Sequence, residues 1–204
     1  MMPKVNAMVW VGVVLRLGGY AAVLGWGWML QAPAATVDAT SADPPQKPLV
    51  VKVGKLSAVA PETWKDEKPS NRLRSYQFRL PGGSGLPDAE IAIYPESHPS
   101  PEKNFPRWQA QFVPPEGKTL SDISRVGVWE LPAAKAHYLD IQGTWKYRER
   151  PKDPSSKEMI LENYRAIWVI VVEKDEATHI RFSGPAPVVE KHYKSFEQWI
   201  KSLK

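Results

Sequence analysis

The sequence predicts an α+β fold: a mostly antiparallel β-sheet of six or seven strands, flanked by a long C-terminal helix and a short mid-chain helix, with an apolar helix at the N-terminus. Three observations predict it. Several segments alternate apolar and polar residues, as half-buried strands do. Residues 164–173 are apolar on both faces, which is typical of a central strand covered on both sides. Residues 187–204 repeat apolar residues at helical spacing.

The first strands follow in order. "LVVKV" (49–53) is predicted as a strand, and 61–71 is predicted as a loop that carries Trp64. "RSYQFRLP" (74–81) alternates cleanly and ends at a proline, and "AEIAIY" (89–94) is a second strand. The short Gly-rich connection between these two strands predicts that they are antiparallel neighbours.

The mid-chain helix is predicted from "PEKNFPRWQAQF". A proline inside a helix lacks the donor N–H and its ring crowds the preceding turn, so Pro106 argues against a helix that begins at Pro101. We therefore expect Asn104 as the N-cap and Phe105 as the first helical residue. The aromatic residues that share one face would then pack on the sheet: Phe105, Trp108 and Phe112.

The second half of the domain is predicted as further strands and one helix. Residues 123–131 and 136–147 form a strand pair, 148–158 is a charged, exposed loop, and 178–182 pairs back onto 164–173. The helix over 187–204 has a proline in its first turn, where no donor is needed. Its apolar stripe comprises Val189, Tyr193, Phe196, Ile200 and Leu203.

The chain is predicted to have three regions. Residues 1–35 are predicted as a signal peptide or an N-terminal membrane anchor, 36–48 as a Pro-rich linker and 49–204 as a single α+β domain. In the first alternative, 17–30 is the apolar core of a cleaved signal peptide. In the second, 8–30 is an uncleaved span with Arg16 near its middle. Either alternative predicts export, to the periplasm or the extracytoplasmic face of the membrane.

Composition excludes several kinds of site. The chain has no cysteine, which removes disulfides, thiolate metal sites and cysteine nucleophiles. Charges of both signs are mixed, which argues against nucleic acid as a partner. The four histidines do not occur at metal-ligand spacing, and "GGSGL" links two strands rather than the strand and helix of a nucleophile elbow. No catalytic, cofactor-binding or metal-binding residue is therefore predicted.

The tryptophans and one arginine are the remaining candidates. The chain has nine tryptophans. Arg107 and Trp108 on the mid-chain helix, Trp145 at a strand end and Trp64 in a loop would line a groove for a sugar or a peptide. The alternative is that the tryptophans are core residues, each burying about 150–250 Å². The predicted ligand-binding candidates are Arg107, Trp108, Trp145 and His98.

The order of motifs over about residues 60–203 resembles a family of uncharacterised exported bacterial proteins. The likeness rests on the Asn-x-x-Arg-Trp helix that begins at Asn104, on the Gly-Thr-Trp strand end at Gly143, and on a Gly-Pro before the closing helix. The tail is also similar to the PsbP/Mog1-like fold. That second resemblance implies an antiparallel sheet flanked by helices and implies no activity.

Two functions are compatible with these features. The first is an exported or membrane-anchored, non-enzymatic domain that binds a partner protein or an envelope component, as PsbP-like and Mog1-like domains do. The second is a cell-envelope hydrolase or lyase that works through Asp/Glu or His. Because the sequence contains no ordered acid–base pattern, it favours the first.

Overall fold

A computed structural model of the chain describes residues 48–83, 85–148, 153–174 and 176–204. The predicted signal peptide or anchor lies outside these residues, as does the linker apart from Pro48. Within the described ranges, neither helix is long and apolar enough to cross a bilayer.

The described residues form ten strands and two α-helices. In chain order these are β1 (Val50–Val53), β2 (Leu56–Val59), β3 (Lys65–Glu67), β4 (Tyr76–Leu80), β5 (Ala89–Ser97), α1 (Pro101–Gln109), β6 (Phe112–Val113), β7 (Ser124–Glu130), β8 (Lys135–Arg148), β9 (Glu158–Glu173), β10 (Glu176–Pro185) and α2 (Ala186–Lys201).

Strands β1 and β2 pair with each other, and the other eight form one antiparallel sheet. Its order is β3-β4-β5-β10-β9-β8-β6, and β7 also pairs with β8. The predicted fold class is thus confirmed. All seven predicted strands are present, and the three that were not predicted, β2, β3 and β6, have only two to four residues. Strands β3 and β6, of three and two residues, are too short to show alternation.

Strand β9 lies between β10 and β8, and its buried run spans residues 165–171. The prediction of a central strand covered on both faces is confirmed. The strand begins at Glu158, six residues earlier than predicted. Asn163 interrupts its conformation with a φ of 50°, a left-handed value that asparagine tolerates better than most residues.

Two apolar cores cover the two faces of the sheet. Alternate residues of β9 enter opposite cores, because successive strand side chains point to opposite faces. The α2-side core includes these residues: Val51, Leu56, Trp64, Phe78, Ile91, Ile167, Val169, Phe182, Val189, Phe196 and Trp199. The α1-side core comprises Trp108, Phe112, Leu139, Ile141, Trp145, Ala166, Trp168, Ile170 and Ala177.

Helix α2 begins at Ala186, directly after β10, with Pro187 in its first turn as predicted. Four of the five stripe residues are fully buried, and Tyr193 is half-buried. The helix ends at Lys201, three residues earlier than predicted. The reason is that the final residue leaves the helix to pair with β2: the Ser57 N–H donates to the Lys204 carbonyl at 3.0 Å.

The predicted start of α1 is wrong. The helix begins at Pro101 with Ser100 as N-cap, and Pro106 lies inside it. Pro106 lacks only the bond to the carbonyl of Glu102, an exposed residue, so little is lost in a helix this short. The Asn104 side chain does not cap. Its Nδ2 donates to the carbonyls of Ser100 and His98, at 2.9 and 3.2 Å.

Candidate ligand-binding site

Trp108, one of the four predicted candidates, lies in the α1-side core. It is almost fully buried, and its ring stacks on Trp168 with centroids 4.4 Å apart. Its ring is perpendicular to that of His179, with centroids 5.2 Å apart. Burial lowers the pKa of His179 below the ordinary value of 6.5, so this ring is neutral at neutral pH. Trp108 is therefore a core residue rather than an exposed stacking platform.

Trp145 belongs to the same core. Only 2% of its surface is exposed, and its ring lies parallel to Phe112 at a centroid distance of 5.6 Å. Its Nε1 donates to Oε1 of Gln111 at 3.1 Å, which satisfies the indole N–H. Both candidate tryptophans thus agree with the core alternative, although Trp145 also lines the cleft described below.

The other two candidates are exposed and lie apart from that cleft. Arg107 is in the last turn of α1, where a positive charge interacts favourably with the helix dipole. His98 precedes α1, and its carbonyl accepts from Nε2 of His179 at 2.8 Å. Its ring Nδ1 accepts from the Ser100 N–H at 3.2 Å. His98 therefore anchors the loop before α1 and is connected to Trp108 through His179.

Arg181 of β10 is the central residue that sequence reasoning missed. Its buried guanidinium lies 5.5 to 5.7 Å from the ring centroids of Trp145, Tyr147 and Trp168. A cation at this distance from aromatic rings is attracted by their quadrupoles. The sequence contained only an indirect signal, which is that Arg181 belongs to the strand predicted to pair with a strand buried on both faces.

Glu90 of β5 joins Arg181 to a second buried arginine. Arg181 Nη2 donates to Glu90 Oε1 at 2.6 Å, and Arg74 Nη1 donates to Glu90 Oε2 at 2.7 Å. Burial by itself would raise the pKa of Glu90, but the charges of Arg181 and Arg74 outweigh it and lower the pKa below 4.5. The Nε atoms of both arginines are buried without a partner among the described residues.

Arg181 and Glu90 border a cleft of about 230 Å³, which we call the aromatic–arginine cleft. Its lining comprises Asp88, Glu90, Trp145, Tyr147, Met159, Leu161, Tyr164, Arg181, Ser183 and Gly184. Gly184 is required by packing, because a Cβ there would lie 2.6 Å from the Cβ of Ala89 on the neighbouring strand. Met159 is an exposed apolar member of the wall, with 44% of its surface accessible.

A second cleft, of about 590 Å³, opens over polar residues that include Asp140, Arg165 and Glu190. Arg165 binds Asp140 through two hydrogen bonds, of 2.8 and 2.7 Å, and also donates to Glu190 of α2. The Tyr193 ring lies 4.9 Å from its guanidinium. Burial by itself would lower the pKa of Arg165, but the hydrogen bonds and charges of Asp140 and Glu190 raise it by more. Arg165 therefore stays charged. With its guanidinium fully engaged, Arg165 mainly ties α2 to the sheet.

The shifted carboxyl groups of the described residues do not have the pKa of a general acid. The pKa values of Glu90, Glu102 and Asp122 are all lowered, whereas acid catalysis near neutral pH needs a raised one. Across the same ranges, no group of three or more His, Asp or Glu side chains is placed to hold a metal ion.

Comparison with known proteins gives few matches. No family model matches the chain, and neither does any curated protein. Among solved structures, one similar chain is a protein of unknown function from Pseudomonas aeruginosa, described as a putative regulator. It is 12% identical, the match covers 78% of this chain and 97% of that one, and the TM-score is 0.40. A likeness at this level is not evidence of a shared function.

Proposed function

We propose that the chain is an exported or membrane-anchored, non-enzymatic domain that binds a partner protein or an envelope component. The aromatic–arginine cleft is the contact site in this proposal. The observation that carries it is the position of Arg181, held among three aromatic rings at the floor of an open cleft. Tryptophan, tyrosine and arginine are the residues that dominate binding hot spots.

The size of the cleft supports a macromolecular ligand. Small-molecule pockets have volumes of roughly 300–1,000 Å³. The aromatic–arginine cleft, at about 230 Å³, suits one side chain or sugar ring presented by a larger partner. Met159 and Tyr147 supply apolar contact area, and Asp88 and Glu90 supply hydrogen-bond acceptors.

The electrostatics of the cleft also favour binding over acid–base chemistry. Glu90 has a lowered pKa and is held by two arginines, so it stays ionised and accepts hydrogen bonds. A hydrolase or lyase that used this carboxyl as its acid would need the opposite shift. The second function that the sequence leaves open therefore gains no support from this site.

Site-specific photocrosslinking tests the contact. Met159 and Ile160 are adjacent on β9, similarly exposed at 44% and 54%, and point to opposite faces of the strand. A photoreactive benzoylphenylalanine at position 159 of the full chain, irradiated in cells, should give an adduct of one discrete size. Benzoylphenylalanine at position 160 is the matched control and should not give this adduct. Equal labelling from both positions, or none from 159, would refute binding at this cleft.

Export is tested separately. Cell fractionation followed by N-terminal sequencing of the full-length product should find the protein in the envelope or the periplasm. An intact Met1 in the membrane fraction indicates the anchor, and a shortened N-terminus indicates the cleaved signal peptide. Recovery of intact chain from the cytosol alone would overturn the proposed location while leaving the crosslinking result to stand on its own.

A further inference from the structure

Strand β7 leaves a long edge of the sheet unpaired. All seven of its residues pair with β8 on one side. On its other side, no strand of the described ranges pairs with it. Unpaired edge strands present rows of free N–H and C=O groups that attract another strand unless prolines, bulges or inward-pointing charges prevent it. The run from Val126 to Trp129 contains none of these.

The side chains of β7 make this edge apolar on the face that carries α1. Val126 and Val128 are 62% and 44% exposed, and with Phe105 and Pro106 of α1 they line a groove of about 370 Å³. On the opposite face, Trp129 stacks on Tyr138 at 4.4 Å. A Cβ at position 127 would lie 2.5 Å from the Tyr138 hydroxyl, so glycine keeps the middle of the strand flat against that ring.

We propose that β7 pairs antiparallel with β7 of a second copy of this chain, about a two-fold axis at Gly127. Such an axis stands perpendicular to the sheet, so facing residues share a face and the two sheets become continuous. In the register centred on Gly127, Val126 lies opposite Val128 of the second copy. Symmetry makes this contact twice, so the two pairs bring four valines together beside the α1 helices.

Charge supports the second copy as the occupant in this register. Arg125 lies opposite Trp129 of the second copy, and Glu130 lies opposite Ser124. No two like charges face each other along the strand, which matters because facing like charges destabilise a strand pair. A shift that centres the axis on Val128 would instead set each Val126 against a Glu130.

Single-cysteine variants test the register, since the natural chain has no cysteine. The experiment uses the full chain in mild detergent, with Val126→Cys and Val128→Cys as separate proteins. Under oxidation, a mixture of the two should crosslink roughly tenfold faster than either protein alone, because only the mixed pair lies directly opposite. Leu73→Cys, on an exposed loop residue, is the control and should not crosslink at a comparable rate. Equal rates for the mixture and the single proteins would refute the register.

Analytical ultracentrifugation tests the association itself. The unmodified chain should sediment as a dimer at about 100 μM, and Val126→Lys should weaken the dimer by about tenfold or more. Because Val126 is exposed, circular dichroism should show an unchanged fold. Leu73→Lys should leave the dimer intact. A monomeric natural chain at this concentration would refute the proposal and would leave the β7 edge to a different protein. A Val126→Lys chain that still dimerises as tightly would also refute it.

Discussion

Two buried arginines on neighbouring strands show how partners decide the role of a residue. Arg165 of β9 and Arg181 of β10 point to opposite faces of the sheet. Arg165 binds Asp140 and Glu190, so each of its terminal nitrogens is used within the fold. Arg181 shares the single carboxylate of Glu90 with Arg74 and is surrounded by aromatic rings. Arg165 therefore holds α2 against the sheet, whereas Arg181 lines the aromatic–arginine cleft.

Removal of the Asp140 charge should destabilise the domain. Asp140→Asn takes away the two-bond partner of Arg165 and leaves a buried guanidinium with Glu190 alone. Breaking a buried pair from one side costs about 3 kcal/mol or more. Urea unfolding monitored by tryptophan fluorescence measures the loss.

The matched control for that change is Arg125→Gln. Arg125 also contacts Asp140, at 3.4 Å, but its side chain is 77% exposed. An exposed pair contributes about 0–1 kcal/mol, so this variant should unfold almost as the natural chain does. Equal losses for the two variants would contradict the role given to Arg165.

Glu90 should make stability depend on pH in the acid range. Its pKa is lowered in the folded state, so its contribution is complete above 4.5, the ordinary value, and disappears as pH falls through the folded-state value. Glu90→Gln should cost about 3 kcal/mol at pH 7, because two buried arginines lose their shared carboxylate. The gap between the two proteins, measured by unfolding from pH 7 to pH 3, should narrow below about pH 4.5. A gap that stays constant over this range would contradict the assignment.

At the scale of elements, α1 is stabilised by its contacts with the rest of the fold more than by intrinsic helix propensity. It contains a proline at an interior position and is only nine residues long. Isolated helices of that length are marginal in water. Trp108 packs it on the sheet, and the Nδ2 of Asn104 holds the preceding loop through the carbonyls of His98 and Ser100. The carbonyl of His98 also accepts a hydrogen bond from Nε2 of His179.

Asn104→Ala should therefore loosen the junction of this loop and helix. Asn104 is buried, and its loss removes two hydrogen bonds and leaves their acceptors less satisfied, at about 1–3 kcal/mol. Amide hydrogen exchange should rise in residues 98–104 before it rises in the sheet. Lys103→Ala, at an exposed neighbouring position, should change neither stability nor exchange by a measurable amount.

At the scale of the whole molecule, the residues that follow α2 close the α2-side core. Leu203 is fully buried there, and Lys204 exchanges two backbone hydrogen bonds with Ser57 of β2, at 3.0 and 3.3 Å. The β1–β2 hairpin pairs with no strand of the main sheet within the described ranges. Its attachment therefore depends on packing, on the two bonds between Ser57 and Lys204, and on the bond from the Lys55 N–H to Oε2 of Glu173 at 2.9 Å.

A chain that ends at Ser202 should lose about 3 kcal/mol of stability, because a fully buried leucine is removed along with the two bonds. Exchange of the Ser57 amide should rise most. Lys204→Ala keeps the backbone bonds and should be nearly neutral. If the shortened chain unfolds at the same urea concentration as the natural one, the hairpin is held by other contacts.

Most of the fold could be predicted because its signals are local. Alternation marked several of the strands, an apolar run on both faces marked β9, and the stripe from Val189 to Leu203 marked α2. The site could not be predicted in the same way. In sequence, Trp108 and Trp145 are compatible with a groove as well as with a core, since a large ring serves either. Arg181 looks like an ordinary polar strand residue until its neighbours on β9 and β8 are known.

The sequence by itself determined the class of fold, the central strand and the closing helix, because burial on one or both faces imposes a period on the residues within each element. Only the tertiary structure decided the start of α1, the burial of Trp64 beside β3, and the group of Arg181, Glu90 and Arg74. Each of these depends on contacts between residues far apart in the chain, and spacing along one segment carries no information about which distant segment will lie against it.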